Sequence, residues 1–222
     1  MTSDPEEDPA LPTPALGRPV GSSGEQTRRR ILEATVRCVG KVGYARATIR
    51  EIAREADMTS GPLYHYFPSK SELVKAAAEA VTDVASPRLV QATRRSGSVV
   101  DKLVALLEES DQLIREYPQI AAFDYAIRQE SPRWLHLQDA TATVYQAVLD
   151  SIAQVVSDAK ADGTLDDNVD PDGATRSVFA LIRGLIELAA TTPEDEHHAT
   201  LSAAKALIRG NLFLNKKTQR KR

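Results

Sequence analysis

Between Thr48 and Lys70 the chain sets eight residues that suit contact with a nucleic-acid duplex: Thr48, Arg50, Thr59, Ser60, Gly61, Tyr64, His65 and Lys70. The hydroxyls of Thr48 and Tyr64 suit phosphate oxygens as donors. Lys70 falls in the first turn of a helix, beside backbone N–H groups that a helix leaves open, and its ammonium also suits a phosphate. Arg50, Ser60 and Gly61 are the candidates for base edges, Gly61 because bare backbone can approach a groove closely. Thr59 stands at the start of the same helix, and His65 suits phosphate or base. The plainer reading of each is a solvated helix residue.

Such contacts need a rigid frame, and the same stretch supplies one. Thr48 is a good N-cap, and Glu51 three residues on completes a capping box. Ile49, Ile52, Ala53 and Ala56 then recur at helical spacing. Asp57-Met58-Thr59 breaks that helix, and Thr59 is placed to cap the next one. Ser60-Gly61-Pro62 opens it, with proline in the first turn, where its missing N–H is not needed. Leu63, Tyr66 and Phe67 are expected to turn inward, leaving Ser60, Gly61, Tyr64 and His65 outside. Two short helices joined by a tight turn make a helix-turn-helix, whose second helix lies in the major groove.

The run Gly61-Pro62-Leu63-Tyr64-His65-Tyr66-Phe67-Pro68-Ser69-Lys70 resembles the recognition-helix signature of the TetR family of bacterial transcriptional regulators. Thr48-Ile49-Arg50-Glu51-Ile52-Ala53 extends the resemblance upstream, so that it covers roughly residues 25–75. One position departs: Asp57 stands where the family usually has Gly at the turn. Asp is among the residues that tolerate a left-handed backbone. The resemblance implies that the DNA-facing positions above contact operator DNA.

Charge is distributed unevenly. Residues 25–75 hold ten Lys or Arg against six acids, whereas residues 76–215 hold twelve against twenty-one, within an overall charge of −3. A basic head on an acidic body suits a phosphate-binding module joined to a second domain. Cys38 is the only cysteine, so no intrachain disulfide can form, and it reads as a small buried thiol. With no run of 18 apolar residues and no basic-then-apolar leader, the expectation is a soluble, cytoplasmic protein without a membrane partner.

In chain order, residues 1–24 are rich in Pro, Ser, Gly and acids and read as a disordered arm. A helix is expected from Glu25 to Val42, ended by Gly43, with Arg28, Arg29 and Arg30 either solvated or on phosphate. Ser69 and Glu72 start another, which Pro87 kinks or ends. Ser98 caps a helix to Tyr117, Gln119–Gln129 forms a short one, and Ser131-Pro132 starts a long one to Asp162-Gly163. Asp170-Pro171 begins a helix ending near Thr191. Thr192-Pro193, with Asp195 as the capping acid, begins a last one through Leu214. These two are apolar over more than one face and need burial on two sides, which reads as a dimer face. Gly184 then serves close helix contact there, or alternatively packs inside one chain.

The expected architecture is all-α: an arm at 1–24, a helix-turn-helix domain at 25–72, a helical ligand-binding and dimerisation domain at 73–215, and a basic tail at 216–222. The resemblance also implies a small-molecule cavity among the helices that carry Phe123, Tyr125, Ile127, Trp134, Tyr145 and Phe179. Ordinary core is the simpler reading of any one of them. Asp124, Arg128, Gln146 and Glu187 are polar candidates nearby. His197-His198, beside Glu194, Asp195 and Glu196, has a metal site's composition only. Adjacent side chains on a helix diverge, so a solvated first turn and no metal are expected. His136 stands alone. With neither a phosphate-cradling Gly loop nor a Gly-x-Ser-x-Gly elbow, no cofactor and no enzymatic activity are expected.

The resemblance therefore implies a homodimeric, ligand-responsive repressor of double-stranded operator DNA, released from a palindromic site by a small apolar or aromatic effector. The alternatives are a helical small-molecule-binding or enzymatic protein whose helix-turn-helix has no operator function, and an activator or corepressor-type regulator.

Overall fold

Helix boundaries in this chain are set largely by short polar side chains. The computed structural model describes residues 22–129 and 138–213, which form nine α-helices and no strand. They are α1 (Ser22–Val42), α2 (Ile49–Glu55), α3 (Ser60–Tyr66), α4 (Lys70–Thr93), α5 (Val99–Glu116), α6 (Pro118–Gln129), α7 (Gln138–Ala161), α8 (Pro171–Thr191) and α9 (Glu194–Ile208). Most of the N-terminal arm, Ser131-Pro132, Trp134, His136, Leu214 and the basic tail lie outside the described residues.

The expected capping box of α2 is complete: Glu51 N–H donates to Thr48 Oγ1 at 3.2 Å and Thr48 N–H to Glu51 Oε2 at 2.8 Å. Ser69 Oγ accepts from Glu72 N–H at 3.1 Å to start α4, and Ser98 with Asp101 builds a second box before α5. Asp170 caps α8 through Gly173 N–H at 2.7 Å, with Pro171 in the first position. Each such cap stabilises its helix by about 0.5–2 kcal/mol. Thr59 occupies the N-cap position of α3 but makes no side-chain cap bond, contrary to expectation. The third residue of α3 is Pro62, which has no N–H to offer.

Two other boundaries differ from the sequence reading, and at Pro87 one of two readings is decided. α1 begins at Ser22, so the last residues of the expected arm are helical. Pro87 lies inside α4 and does not end it. α9 stops at Ile208 rather than Leu214, because Gly210 takes φ 70°, the left-handed backbone of a helix end. Asp195 does not cap α9 either; the N-cap position is held by Pro193, and Asp195 is already inside the first turn.

The described residues divide into two compact units, each discontinuous in sequence. One comprises residues up to Arg88 with Gln112–Ala147; the other comprises Leu89–Asp111 with residues from Val148 onward. In the first, Ile31, Val36 and Val39 of α1, Ile52 of α2, Leu63 of α3, Phe67, and Leu73, Val74 and Ala77 of α4 form one core with Phe123, Ala126 and Ile127 of α6. Burying each large apolar side chain contributes about 1.5–3 kcal/mol, so this cluster outweighs any single cap. α1 and α6 approach closely at Gly40, where a Cβ would lie 3.3 Å from both Ala122 Cβ and Phe123 N. Cys38 is buried as expected, and burial pushes its thiol pKa up.

Ion pairs tie the same unit together. Arg37 Nε reaches Glu55 Oε1 at 3.0 Å and Lys41 Nζ at 3.3 Å, linking α1 to α2. Arg88 grips Glu116 through both carboxylate oxygens, at 2.5 and 3.2 Å. In the second unit, Ile182 and Leu185 of α8 and Leu201 and Ala204 of α9 are buried, while Lys205 Nζ meets Glu108 Oε1 at 3.3 Å.

The α2–α3 turn turns on one strained residue. Asp57 takes φ 51° and is the one non-glycine with positive φ among the described residues. We expect Asp57→Gly to be at least as stable as the parent, since it removes Cβ crowding that costs roughly 1–2 kcal/mol there, and Asp57→Ala to be less stable, since alanine keeps the Cβ and lacks the short polar side chain that eases a left-handed backbone. Urea midpoints of the three proteins check this. A second expectation concerns acid. Burial raises the Glu55 carboxyl, but hydrogen bonds and charge from Arg37 and Lys41 outweigh it and leave the pKa below the ordinary value of 4.5. A depressed carboxylate stabilises the fold above its unfolded pKa and loses that contribution as pH falls through the folded one. Glu55→Gln should therefore lower stability at neutral pH and flatten its decline below about pH 4.5, measured by thermal unfolding against pH.

Candidate nucleic-acid interface

The capped α2, the Asp57 turn and the buried Leu63 together decide which side chains of α2 and α3 face outward. Leu63 has no exposed area and Phe67 is 4% exposed, so α3 is seated by its inner face. Thr48, Arg50, Thr59, Gly61, Tyr64 and His65 are exposed, and Ser60 and Lys70 are half-buried. Tyr66 is half-buried too, packed against the core as expected. Tyr64 is 55% exposed, unusual for an aromatic ring on a helix whose opposite face is fully packed.

The chemistry of individual groups sharpens this. Thr48 Oγ1 accepts from Glu51 N–H, and the residue is exposed at the head of α2. Hydrogen bonds to the Glu51 carboxyl from the Thr48 backbone N–H, and then from the Thr48 side chain, hold that carboxyl below the usual range, keeping it ionised and the cap closed at neutral pH. Gly61 has ordinary helical backbone, and a Cβ built there meets nothing within 4 Å. Neither folding strain nor packing among the described residues requires glycine at that position.

Lys70 differs from its expected role. Its ammonium donates to the carbonyl of Tyr44 and, at 3.4 Å, to that of Ala45, and it lies 4.1 Å from the centre of the Tyr44 ring. It therefore ties the start of α4 to the segment leading into α2, a role that sequence spacing did not indicate. Arg28 of the triple arginine run lies over the Phe67 ring at 5.3 Å, joining the N-terminal part of α1 to the end of α3. Both cations pair with aromatics that come from another part of the chain, which is why local patterns concealed them.

The residues named for a small-molecule site separate. Phe123 and Ile127 belong to the core that carries the helix-turn-helix, 2% and 7% exposed, and packing accounts for them. Tyr125 and Tyr145 are half-buried in the same unit, Phe179 lies on α8 in the other, and Trp134 is outside the described residues. Asp124 accepts hydrogen bonds from Arg128 Nε at 2.8 Å and from the Tyr145 hydroxyl, so three of the named residues form one half-buried polar network. Gln146 and Glu187 are exposed.

The expectation for the histidine pair needs correction. His197 is not part of a solvated first turn but 5% exposed, facing Asp111 of α5 together with His198. The partner carboxylate comes from far upstream, so no local spacing pointed to it. These three side chains are the group among the described residues with the donors and proximity to hold a metal ion.

With this geometry in view, comparison with known proteins is informative. The family model of bacterial regulatory proteins of the tetR family matches residues 31–77. The HTH-type transcriptional regulator PksA of Bacillus subtilis is 27% identical over 165 residues, 72% of this chain and 77% of PksA. The HTH-type transcriptional regulator TtgR of Pseudomonas putida is 30% identical over 169 residues, 73% of this chain and 79% of TtgR. The crystal structure of AibR in complex with isovaleryl coenzyme A and operator DNA superposes with a TM-score of 0.66 at 18% identity, covering 82% of this chain and 97% of that one. Buried core, capped turn and outward-facing helix thus agree with sequence similarity that runs well past the head: this chain belongs to the TetR family of bacterial helix-turn-helix transcriptional regulators.

Proposed function

We propose that the chain is a dimeric repressor that reads a palindromic operator through α3 and is released by a small molecule. The observation that carries the DNA-reading part is Gly61. An exposed helix position where neither backbone nor packing needs glycine is explained by an outside surface that must come close, and a major groove is such a surface. Tyr64, Thr48 and Arg50 surround it as phosphate and base donors, with Ser60, Thr59 and His65 on the same head. Lys70 acts mainly by bracing Tyr44 and Ala45, and a phosphate is a second role we assign to its ammonium.

Dimerisation is supported by what one chain leaves uncovered. On α8 a Cβ at Gly184 would meet nothing within 4 Å among the described residues, which favours the reading of Gly184 as a contact with a second copy over packing inside one chain. Leu207 of α9 is 50% exposed and Phe213 beyond it 81% exposed. A second copy covering these faces would bury them. That this fold can take both a ligand and DNA is supported by AibR, whose structure is a complex with isovaleryl coenzyme A and operator DNA; release by the ligand is the sign we assign to that coupling. In this chain the Asp124, Arg128 and Tyr145 network, beside Tyr125, is the polar anchor we assign to an otherwise apolar or aromatic effector. The effector lowers DNA affinity by favouring the state that binds DNA poorly, which requires unequal affinity for the two states.

A mobility-shift assay against DNA upstream of the chain's own gene tests the reading as a whole; absence of any sequence-preferring complex would refute it. Gly61→Ala should keep or raise thermal stability, by up to about 1 kcal/mol, while weakening operator binding about tenfold, or about 1.4 kcal/mol. Tyr64→Phe should weaken binding to all sequences and lower the salt slope by about one phosphate's worth. Arg50→Ala should instead change preference among operators by about 1–3 kcal/mol. For assembly, Gly184→Leu should shift the dimer toward monomer in sedimentation and reduce operator affinity while leaving the head folded. A wild-type chain that sediments as a monomer at micromolar concentration would overturn that part.

A further inference from the structure

His197 and His198 are neighbours on a helix, yet both rings approach the same oxygen. They do so by using different atoms. His197 presents Nδ1, the nitrogen near its own backbone, and His198 presents Nε2, the far one, with ring centroids 6.0 Å apart and planes tilted by 43°. The difference in reach compensates for the angle between successive side chains on α9. Nδ1 of His197 lies 3.6 Å from Asp111 Oδ1 and Nε2 of His198 lies 3.9 Å from it. All three candidate ligand atoms fall within 4.8 Å of one another.

These separations discriminate between two uses of the cluster. An N–H···O hydrogen bond is about 2.9 Å long, so both contacts are too long to be direct bonds of that kind. Donor atoms around a tetrahedral zinc ion, each about 2.0–2.2 Å from the metal, stand roughly 3.3–3.6 Å apart. The cluster therefore lies nearer to the spacing of ligands around an ion than to that of a hydrogen-bonded pair, and ligand atoms spread over as much as 4.8 Å must draw together for all three to reach one ion. Burial argues the same way. The Asp111 side chain is 4% exposed and that of His197 6%, an environment in which a carboxylate gains much from a cation held against it. The His198 side chain, 40% exposed, leaves a path from solvent and room for water as a fourth ligand. The positive end of α9 opposes a cation, and Glu194, Asp195 and Glu196 in its first turn offset that.

We propose that Asp111, His197 and His198 form a binding site for a divalent transition-metal ion of the zinc type, which fastens the start of α9 to α5. Two imidazoles and one carboxylate, without a thiolate, suit Zn²⁺, Co²⁺ or Ni²⁺ rather than Cu⁺, and the nitrogen ligands disfavour Mg²⁺ and Ca²⁺. The site lies wholly within one compact unit and is independent of the proposed DNA-reading role.

The test uses the full chain without a polyhistidine tag, stripped with a chelator and titrated with Zn²⁺ in competition with a chromophoric chelator. One Zn²⁺ should bind per chain and raise the thermal midpoint, whereas Mg²⁺ at the same concentration should not. Loss of a direct ligand should weaken binding by more than the roughly tenfold that loss of a supporting group costs, so His197→Gln, His198→Gln and Asp111→Asn should each exceed that. His198→Gln changes a half-exposed residue and decides the matter if the buried Asp111→Asn variant fails to fold. Co²⁺ substitution should give the intense visible absorption of a tetrahedral site in the parent and lose it in His198→Gln. Failure to bind Zn²⁺ stoichiometrically overturns the proposal, and so does binding that His198→Gln leaves unchanged, which would place the ion on other histidines.

Discussion

The outward face of α3 depends on the burial of Leu63 and Phe67. α3 is seven residues long, and a helix that short is not stable in water on its own propensity. It lacks a side-chain cap, carries Gly61 and Pro62 in its first turn, and gains little from local sequence. What fixes it is the core shared by α1, α2, α4 and α6, into which its inner face is inserted. The outward direction of Tyr64 and His65 follows from that insertion, because helical geometry sets each side chain at a fixed angle from Leu63. Any substitution that loosens this core disturbs the outward face proposed to read DNA without touching a residue on it.

The ion pairs and aromatic contacts around that core share a pattern. Glu55 receives Arg37 and Lys41, Lys70 meets Tyr44, and Arg28 covers Phe67. Each links segments whose relative positions the apolar core already determines. None is deeply buried, so each contributes modestly, about 1 kcal/mol or less for an exposed pair. Their effect is angular, holding the short helices in register where hydrophobic contact alone would leave freedom to slide.

Much of this was legible in the sequence because it is local. Caps at Thr48, Ser98 and Asp170 lie within three residues of what they bind, and helical periodicity marks the inner faces of α1 and α2. The turn at Asp57 was legible from the break between two apolar stripes, and its left-handed backbone from the glycine that the resembled family usually has there. The parts that were not legible are those formed across chain distance. Phe123 and Ile127 look alike whether they line a cavity or join the head's core, and only the packing of α6 on α1 separates the two. Lys70 has the pattern of a phosphate ligand until Tyr44 is placed beside it. Two adjacent histidines look divergent until Asp111 supplies a common target. The early end of α9 was readable in principle at Gly210, but the apolar residues that follow it obscured the stop.

The close approach at Gly40 has a mechanical consequence. Helices separated by long side chains can absorb a small displacement by exchanging rotamers, so motion at one surface dies out within a layer. Between α1 and α6 there is no such layer at Gly40; backbone faces backbone and the methyl of Ala122. Contacts of that kind have no internal torsions to rearrange, and the interior around them is as incompressible as a molecular crystal. The crossing therefore behaves as a joint without play: a shift of α6 along or across its partner is handed to α1 undiminished.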